Sequence, residues 1–345
     1  MKLGIIGLPG AGKSTLFEAL TGIIQDDAAH KPEDRIGTIT VPDKRVDILS
    51  DMYKPKKTMH ARVEYLLPYI AAHDQGRKKE ETAWTTVRTC DAIIHVVRNF
   101  KGYGEEAPQP LKDFTSMNEE MIFADLMVVE KRLERLELDA KRGRDVNLEE
   151  QQLLKQCKEL LDNETPLRTS PELASEHLLK GFTFLSARPM LVVFNNQDDD
   201  DALPDVGEIA QQEKCLVVRC SLEHELTLMQ PDEALEYLEE YGITVSAMDL
   251  MISFSYELLG LISFFTVGED EVRAWTIRKN IDAVDAAEVI HSDIKKGFIR
   301  AEVVAYDDLM EAGSRNEAKK KGTVRLEGKT YQVQDGDIIE FRFNV

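Results

Sequence analysis

The chain has 345 residues and a formal net charge of −20, with 43% hydrophobic residues, 20 Gly and 12 Pro. That length admits two or three domains with a sizeable core, and the composition excludes disordered and fibrous classes. The acidity excludes a protein that coats nucleic acid by bulk electrostatics, because phosphate would be repelled over most of the surface.

The first predicted element is the apolar run KLGII, Lys2 to Ile6, followed by the glycine-rich turn GLPGAGKS and then KSTLFEAL, the order strand, turn, helix. Further buried strands are expected in DAIIHVV (Asp91 to Val97), PMLVVF (Pro189 to Phe194) and KCLVVRC (Lys214 to Cys220), with helices between them. This alternation predicts an α/β domain built on a doubly wound, mostly parallel sheet. From Ser116 to Arg188 the pattern changes. Ile122, Leu126, Val129, Leu133 and Leu136 recur at helical spacing, KRGRD breaks the run, and Leu153, Cys157 and Leu160 resume it, which predicts an α-hairpin insertion turning near Gly143.

Beyond Ile262 the chain turns to short alternating segments, VRAWTI, FIRAEVVAY, TVRLEGKTYQV and IIEFRF, interrupted by the helix-like AVDAAEVIHSDIKK. A small sheet with a helix laid over it is the economical packing, an α+β domain. The expected boundaries are 1–116 and 186–261 for the two parts of the first domain, 117–185 for the insertion and 262–345 for the last domain. Cys90, Cys157, Cys215 and Cys220 lack metal-site spacing and read as reduced thiols. The N-terminal apolar run is too short for a signal peptide, and LMISFSYELLGLISFF is interrupted by Glu257, so a cytoplasmic protein without membrane or DNA partners is expected.

Gly7, Gly12, Lys13 and Ser14 fit G-x-x-x-x-G-K-[ST] in the strand–turn–helix context that motif requires. Glycines let backbone N–H groups point at phosphate oxygens, and the positive end of the following helix dipole falls at the same place. Gly7, Leu8, Pro9, Gly10, Ala11, Gly12, Lys13, Ser14 and Thr15 are therefore the candidate phosphate loop, with Lys13 reaching the β and γ phosphates and Ser14 ligating Mg²⁺. Later, Asn195-Asn196-Gln197-Asp198 closes a predicted strand as N-x-x-D, the order by which GTPases read guanine; a solvated acidic loop is the plainer alternative. Ser221, after the next strand, is a candidate to back the base.

These residues resemble the YchF-type subfamily of Obg-related P-loop NTPases, the Obg-like ATPases. SFFTVGEDEVRAWTIRKN, VIHSDIKKGFIRAEVVAYDDL and VRLEGKTYQVQDGDIIEFRFNV are similar to that family's C-terminal TGS domain, a ubiquitin-like β-grasp module. VPDKRVDILSDMYKPKKT and ADLMVVEKRLERLE are similar to its segment after switch I and its helical insertion. The resemblance implies Mg²⁺-dependent hydrolysis of ATP or GTP and an association with ribosomes.

Two positions depart from the family pattern. Lys31 stands at the best match to the switch I threonine, and Leu67 stands where the aspartate of D-x-A-G is expected. Neither supports Mg²⁺, so a slowed or lost hydrolysis is expected beside the alternative of an active switch. Asp74 is the candidate displaced carboxylate, with His73 and Gln75 as candidates to orient a water; a solvated loop is the alternative. The family carries glutamate where this chain has Asp198, and Asn196 replaces the lysine whose stem covers the base, so GTP and ATP both remain open. A small-molecule kinase would need neither the N-x-x-D strand nor the last domain. That last domain is nearly neutral, with 13 basic and 16 acidic residues from Ile262 to Val345. Lys295, Lys296 and Arg300, with Lys319, Lys320 and Lys321, are candidates for a face toward ribosomal RNA, a solvated surface being the plainer reading of the second cluster.

Overall fold

The structure is a computed structural model that describes residues 1–24, 33–69, 84–102, 106–240, 243 and 246–344. The strands are β1 (Lys2–Ile6), β2 (Arg35–Thr40), β3 (Lys57–Met59), β4 (Arg62–Leu67), β5 (Ala92–Asn99), β6 (Met190–Asn196), β7 (Lys214–Val218), β8 (Leu261–Val267), β9 (Glu271–Arg278), β10 (Phe298–Ala305), β11 (Arg325–Glu327) and β12 (Asp337–Phe343). The chain divides into two compact units, Met1–Gly37 with Glu64–Met251, and Thr38–Val63 with Ile252–Val345.

The first unit is an α/β domain on a sheet of order β2-β4-β1-β5-β6-β7. β1 runs parallel to β4 and β5, and β5, β6 and β7 follow in parallel. Every residue of β6 is buried, as expected where helices cover both faces and the strand reads as a continuous apolar run. Helix α1 (Lys13–Thr21) follows β1. The long helix α3 (Pro110–Lys141) lays Phe114, Met117 and Met121 against Ile93, Val97, Val192 and Phe194 of the sheet.

The far half of α3 packs Ile122, Val129, Leu133 and Leu136 against Leu154, Cys157 and Leu161 of α4 (Leu148–Asp162), which is the expected hairpin. The buried stripe differs in detail. Leu126 is only partly buried, and Leu154 and Leu161, rather than Leu153 and Leu160, join Cys157 on the inner face. Gly143 turns the chain at φ +71°, and the Asn147 side chain caps α4 by accepting from Glu149 and Glu150 N–H. Asp125 is a buried carboxylate within the stripe, and it accepts from Arg88 Nη1 at 2.9 Å and from the N–H groups of Leu185 (3.0 Å) and Ser186 (2.7 Å).

The second unit has a sheet of order β11-β10-β12-β8-β9-β3. β8 and β9 form an antiparallel hairpin, β10 pairs antiparallel with β12 and β11, and β12 runs parallel to β8, the arrangement of a β-grasp. One helix (Ala283–Ile290) presses Ala283, Ala286 and Ala287 onto Ile262, Phe264, Ile277 and Val303. The small side chains let the helix approach the sheet closely.

Residues 38–63, which the sequence reading includes in 1–116, lie in this second unit. Two features hold them there. β3 adds to the sheet edge in parallel with β9, pairing Lys57 with Glu271 and Met59 with Arg273. From helix α2 (Lys44–Tyr53), Arg45 donates from Nη1 to Asp335 Oδ2 at 2.8 Å, and Asp335 Oδ1 accepts from Ser263 N–H at 2.9 Å. A pairing made across some 200 residues of intervening chain leaves no local trace in the sequence.

Candidate functional site

The loop from Gly7 to Gly12 leaves the carboxyl end of β1. The chain places β4 on one side of β1 and β5 on the other, so this end is a switch point of the sheet, where open α/β domains bind ligands. Backbone geometry dictates its glycines. Gly7 has φ +149°, and a Cβ there would lie 2.3 Å from the Val96 carbonyl oxygen. Gly12 has φ +92°, and a Cβ would lie 2.2 Å from Asn195 Nδ2. Gly10 also has a positive φ of +79°, with open space around it.

The loop closes on itself through Ala11 N–H to the Leu8 carbonyl at 3.2 Å. Lys13 Nζ donates to the same carbonyl at 2.8 Å, which holds the ammonium over the loop. Ala11 is buried, Leu8 is half-buried against the core, Pro9 and Gly10 are exposed, Ser14 is exposed and Thr15 is half-buried. The first turn of α1 carries no acidic residue and no side-chain cap, so its N–H groups are left to an anion. The donors therefore fit a phosphate chain, and the exposed Ser14 hydroxyl is the residue here that would ligate a Mg²⁺ beside it.

Asn195, the penultimate residue of β6, is almost fully buried, at 4% exposure. Its Nδ2 donates to the Ala11 carbonyl at 3.1 Å, and its Oδ1 accepts from Cys220 N–H at 3.1 Å, at the start of α5 (Cys220–Leu228). One side chain thus joins the phosphate loop, the end of β6 and the helix after β7. Asn196 is also buried, donating from Nδ2 to the Ala202 carbonyl at 2.8 Å and accepting at Oδ1 from Asn99 Nδ2 at 2.9 Å. Asp198 is exposed, and its Oδ1 accepts from Leu222 N–H at 3.3 Å. Ser221 lies within α5 rather than in a loop before it, and is exposed. The sequence-predicted loop, Asn195 and Asp198 are brought to one end of the sheet.

Leu67 is the last residue of β4 and only 7% exposed, an apolar end to the strand beside β1. Lys31, His73, Asp74 and Gln75 lie outside the described residues. Among the described residues, no group of three or more His, Cys, Asp or Glu side chains is placed to hold a metal, and no helix is long and apolar enough to cross a membrane.

The basic residues expected to face RNA are largely engaged with carboxylates. Lys295 pairs with Asp285 at 3.0 Å and with Glu288, Lys296 with Asp293 at 3.4 Å, Lys319 with Glu302 at 3.2 Å, Lys320 with Glu317 at 2.6 Å and Lys321 with Glu311 at 3.4 Å. Arg300 is exposed.

Sequence reading passed over His95. It sits in the middle of β5 fully buried, both ring nitrogens without a hydrogen-bond partner among the described residues, its ring stacked on Phe114 at 5.4 Å. Burial first, then the positive charges of Arg168 and Lys13, push its pKa down to about 3. The signal was a single imidazole inside an otherwise apolar strand.

Residues 2–131 match the family model described as "50S ribosome-binding GTPase", and residues 261–344 match the YchF-GTPase C-terminal model, described as "Protein of unknown function (DUF933)". The chain is 38% identical to the ribosome-binding ATPase YchF of Bacillus subtilis, over 99% of each chain. It is 34% identical to Obg-like ATPase 1 of Oryza sativa subsp. japonica, over 100% of this chain and 92% of that one. The Schizosaccharomyces pombe YchF GTPase structure superposes with a TM-score of 0.84 at 29% identity, covering 99% of this chain and 97% of that one. With a glycine-built loop at the switch point of its first sheet and a β-grasp sheet in its second unit, the chain belongs to the YchF (Obg-like ATPase) family of P-loop NTPases.

Proposed function

We propose that this chain binds a purine nucleoside triphosphate, GTP or ATP, with Mg²⁺ at Gly7–Thr15, and acts as a ribosome-associated regulator whose hydrolysis is slow. The observation that supports the binding is the Gly12–Asn195 approach, which leaves no room for a Cβ and ties the loop to the end of β6. Backbone N–H groups of the loop and of the first turn of α1 would receive phosphate oxygens. Lys13 would exchange the Leu8 carbonyl for a β or γ oxygen, a charge-assisted and therefore stronger bond. Ser14 would hold the Mg²⁺, which neutralises charge on the transferring phosphoryl group when bound.

Slow hydrolysis follows from Leu67. An apolar side chain at the end of β4 offers neither a ligand for the metal shell nor an acceptor for water, and phosphoryl transfer depends on such positioning. An active switch is the competing reading, supported by the intact Lys13 and Ser14. Single-turnover assays with labelled GTP or ATP and Mg²⁺ separate the two. Slow product formation from a bound triphosphate is expected, and hydrolysis at rates typical of a productive switch would overturn it.

Association with ribosomes rests on the family names that the relatives carry. The partner face proposed is the β-grasp unit, with Arg300 and Lys296 as exposed cations on it. Cosedimentation of the full chain with ribosomes at several salt concentrations tests it. The double variant Arg300→Glu, Lys296→Glu should weaken binding and flatten the salt dependence; unchanged binding would exclude this face.

A further inference from the structure

We propose that the outer face of α3 is a self-association surface, on which two copies of this chain pair antiparallel around a two-fold axis between Lys131 and Glu134.

The far half of α3 has two faces. One closes on α4 through Ile122, Val129, Leu133 and Leu136. The other is open to solvent and carries Met127, Lys131, Glu134 and Leu138, spaced four, three and four residues apart, which keeps them in one row on a helix. Met127 is 51% exposed and Leu138 is 50% exposed, so both apolar side chains stand half in water. Phe123, one turn before Met127, is 52% exposed and lengthens the apolar end of the row. Exposed apolar residues scattered singly are ordinary, whereas three along one helix face form a patch. Neither Lys131 nor Glu134 is engaged in an ion pair among the described residues. Their neighbours Arg132 and Glu130 are tied to Glu150 and Lys158 of α4.

The four-three-four spacing is the same in both directions, and that decides the occupant. With a second copy of the helix turned end for end, Met127 meets Leu138 of the second copy, Lys131 meets its Glu134, and each contact occurs twice. This is the self-complementarity that a two-fold interface requires. In a parallel pair Lys131 would face Lys131 and Glu134 would face Glu134, like against like. A partner of one charge sign would leave either Lys131 or Glu134 opposed by its own sign, and RNA would also meet the chain's net charge of −20. A second copy satisfies both charges and covers both apolar side chains. Phe123 then lies at the level of the exposed Lys141 of the second copy, where an ammonium can sit over its ring. The central Lys–Glu contacts fix the register, a role that polar residues play in paired helices. One helix face from each copy is smaller than a standard protein interface, so a weak, micromolar dimer is expected.

The test is sedimentation velocity of the full chain from micromolar to submillimolar concentration, for the unaltered chain, Lys131→Glu, Glu134→Lys and a mixture of the two variants. The unaltered chain should show a reversible monomer–dimer equilibrium. Either variant alone places like charges in both central contacts and should weaken dimerisation at least about 10-fold. Mixed together, the two variants restore opposite charges at both contacts, and the dimer should return as a pairing of one variant with the other. Both substituted side chains are exposed, so the circular dichroism spectra should be unchanged. A chain that stays monomeric throughout would overturn the proposal, as would a dimer indifferent to the two charge reversals. A monomeric chain that binds a single-stranded RNA oligonucleotide through Lys131 would overturn it as well and give this face to nucleic acid.

Discussion

Asn195 donates from Nδ2 to the carbonyl of Ala11 at 3.1 Å, and in doing so occupies the space a side chain on residue 12 would need. The relation is reciprocal: the asparagine fixes the loop, and the glycine admits the asparagine. Gly12→Ala brings a Cβ within 2.2 Å of Nδ2 at a positive φ, so either the loop or Asn195 must move. We expect loss of nucleotide binding by calorimetry with a folded circular dichroism spectrum; binding within a factor of two of the unaltered chain would contradict the geometry.

Asn195→Ala removes both bonds of the brace and strands the Ala11 carbonyl and Cys220 N–H. Buried groups left unpaired cost about 1–3 kcal/mol each. The melting temperature should fall by several degrees and triphosphate affinity should fall with it.

Asp125 is the acceptor for Arg88 and for two backbone N–H groups, which anchor the root of the hairpin to the strand-preceding loop. Removing one partner of a buried pair costs about 3–5 kcal/mol. Asp125→Ala should show a large drop in thermal or denaturant midpoint, whereas Glu134→Ala on the exposed face of the same helix should move it little.

His95 makes stability depend on pH in a defined direction. Its pKa is lowered from 6.5 to about 3 in the folded chain, so between those values the unfolded chain binds a proton that the folded chain refuses. The contribution of this site to stability is therefore highest above pH 6.5, declines as pH falls through the window, and is fully lost near pH 3. Within that window, each tenfold rise in proton concentration costs the folded chain up to about 1.4 kcal/mol. Urea unfolding at pH 7 and pH 5 should show a smaller acid loss in His95→Phe than in the unaltered chain; equal losses would assign the acid sensitivity to other groups.

Leu67→Asp supplies a carboxylate at the end of β4. If the apolar residue is what slows hydrolysis, the single-turnover rate should rise by about an order of magnitude or more, in keeping with the share of phosphoryl transfer that positioning carries. A faster rate with unchanged affinity supports the assignment, and an unchanged rate locates the deficit elsewhere.

How much of this was legible in the sequence follows from what is local. β1, the loop and α1 lie within 21 residues, and their strand–glycine–helix order states itself. The buried strands β5 and β6 were visible because both faces are covered and the runs are continuously apolar. What escaped was long-range. β3 joins the second sheet through backbone pairing with β9, which depends on no particular side chain. Asp125 lies inside an apolar stripe, where a carboxylate reads as an interruption until Arg88 and the N–H groups of Leu185 and Ser186 are seen around it. The basic cluster looked free in the sequence because the carboxylates that engage Lys295 and Lys319, Asp285 and Glu302, come from other elements of the fold.

The central claim is that the loop from Gly7 to Thr15 holds a nucleoside triphosphate through Lys13. The most direct measurement is calorimetric titration of the full chain with GTP and with ATP in Mg²⁺, beside Lys13→Ala. Saturable binding with one site, weakened at least about 100-fold in the variant, is the predicted result, in line with loss of a charge-assisted contact to phosphate. Binding that survives Lys13→Ala unchanged, or no binding by the unaltered chain, would contradict it.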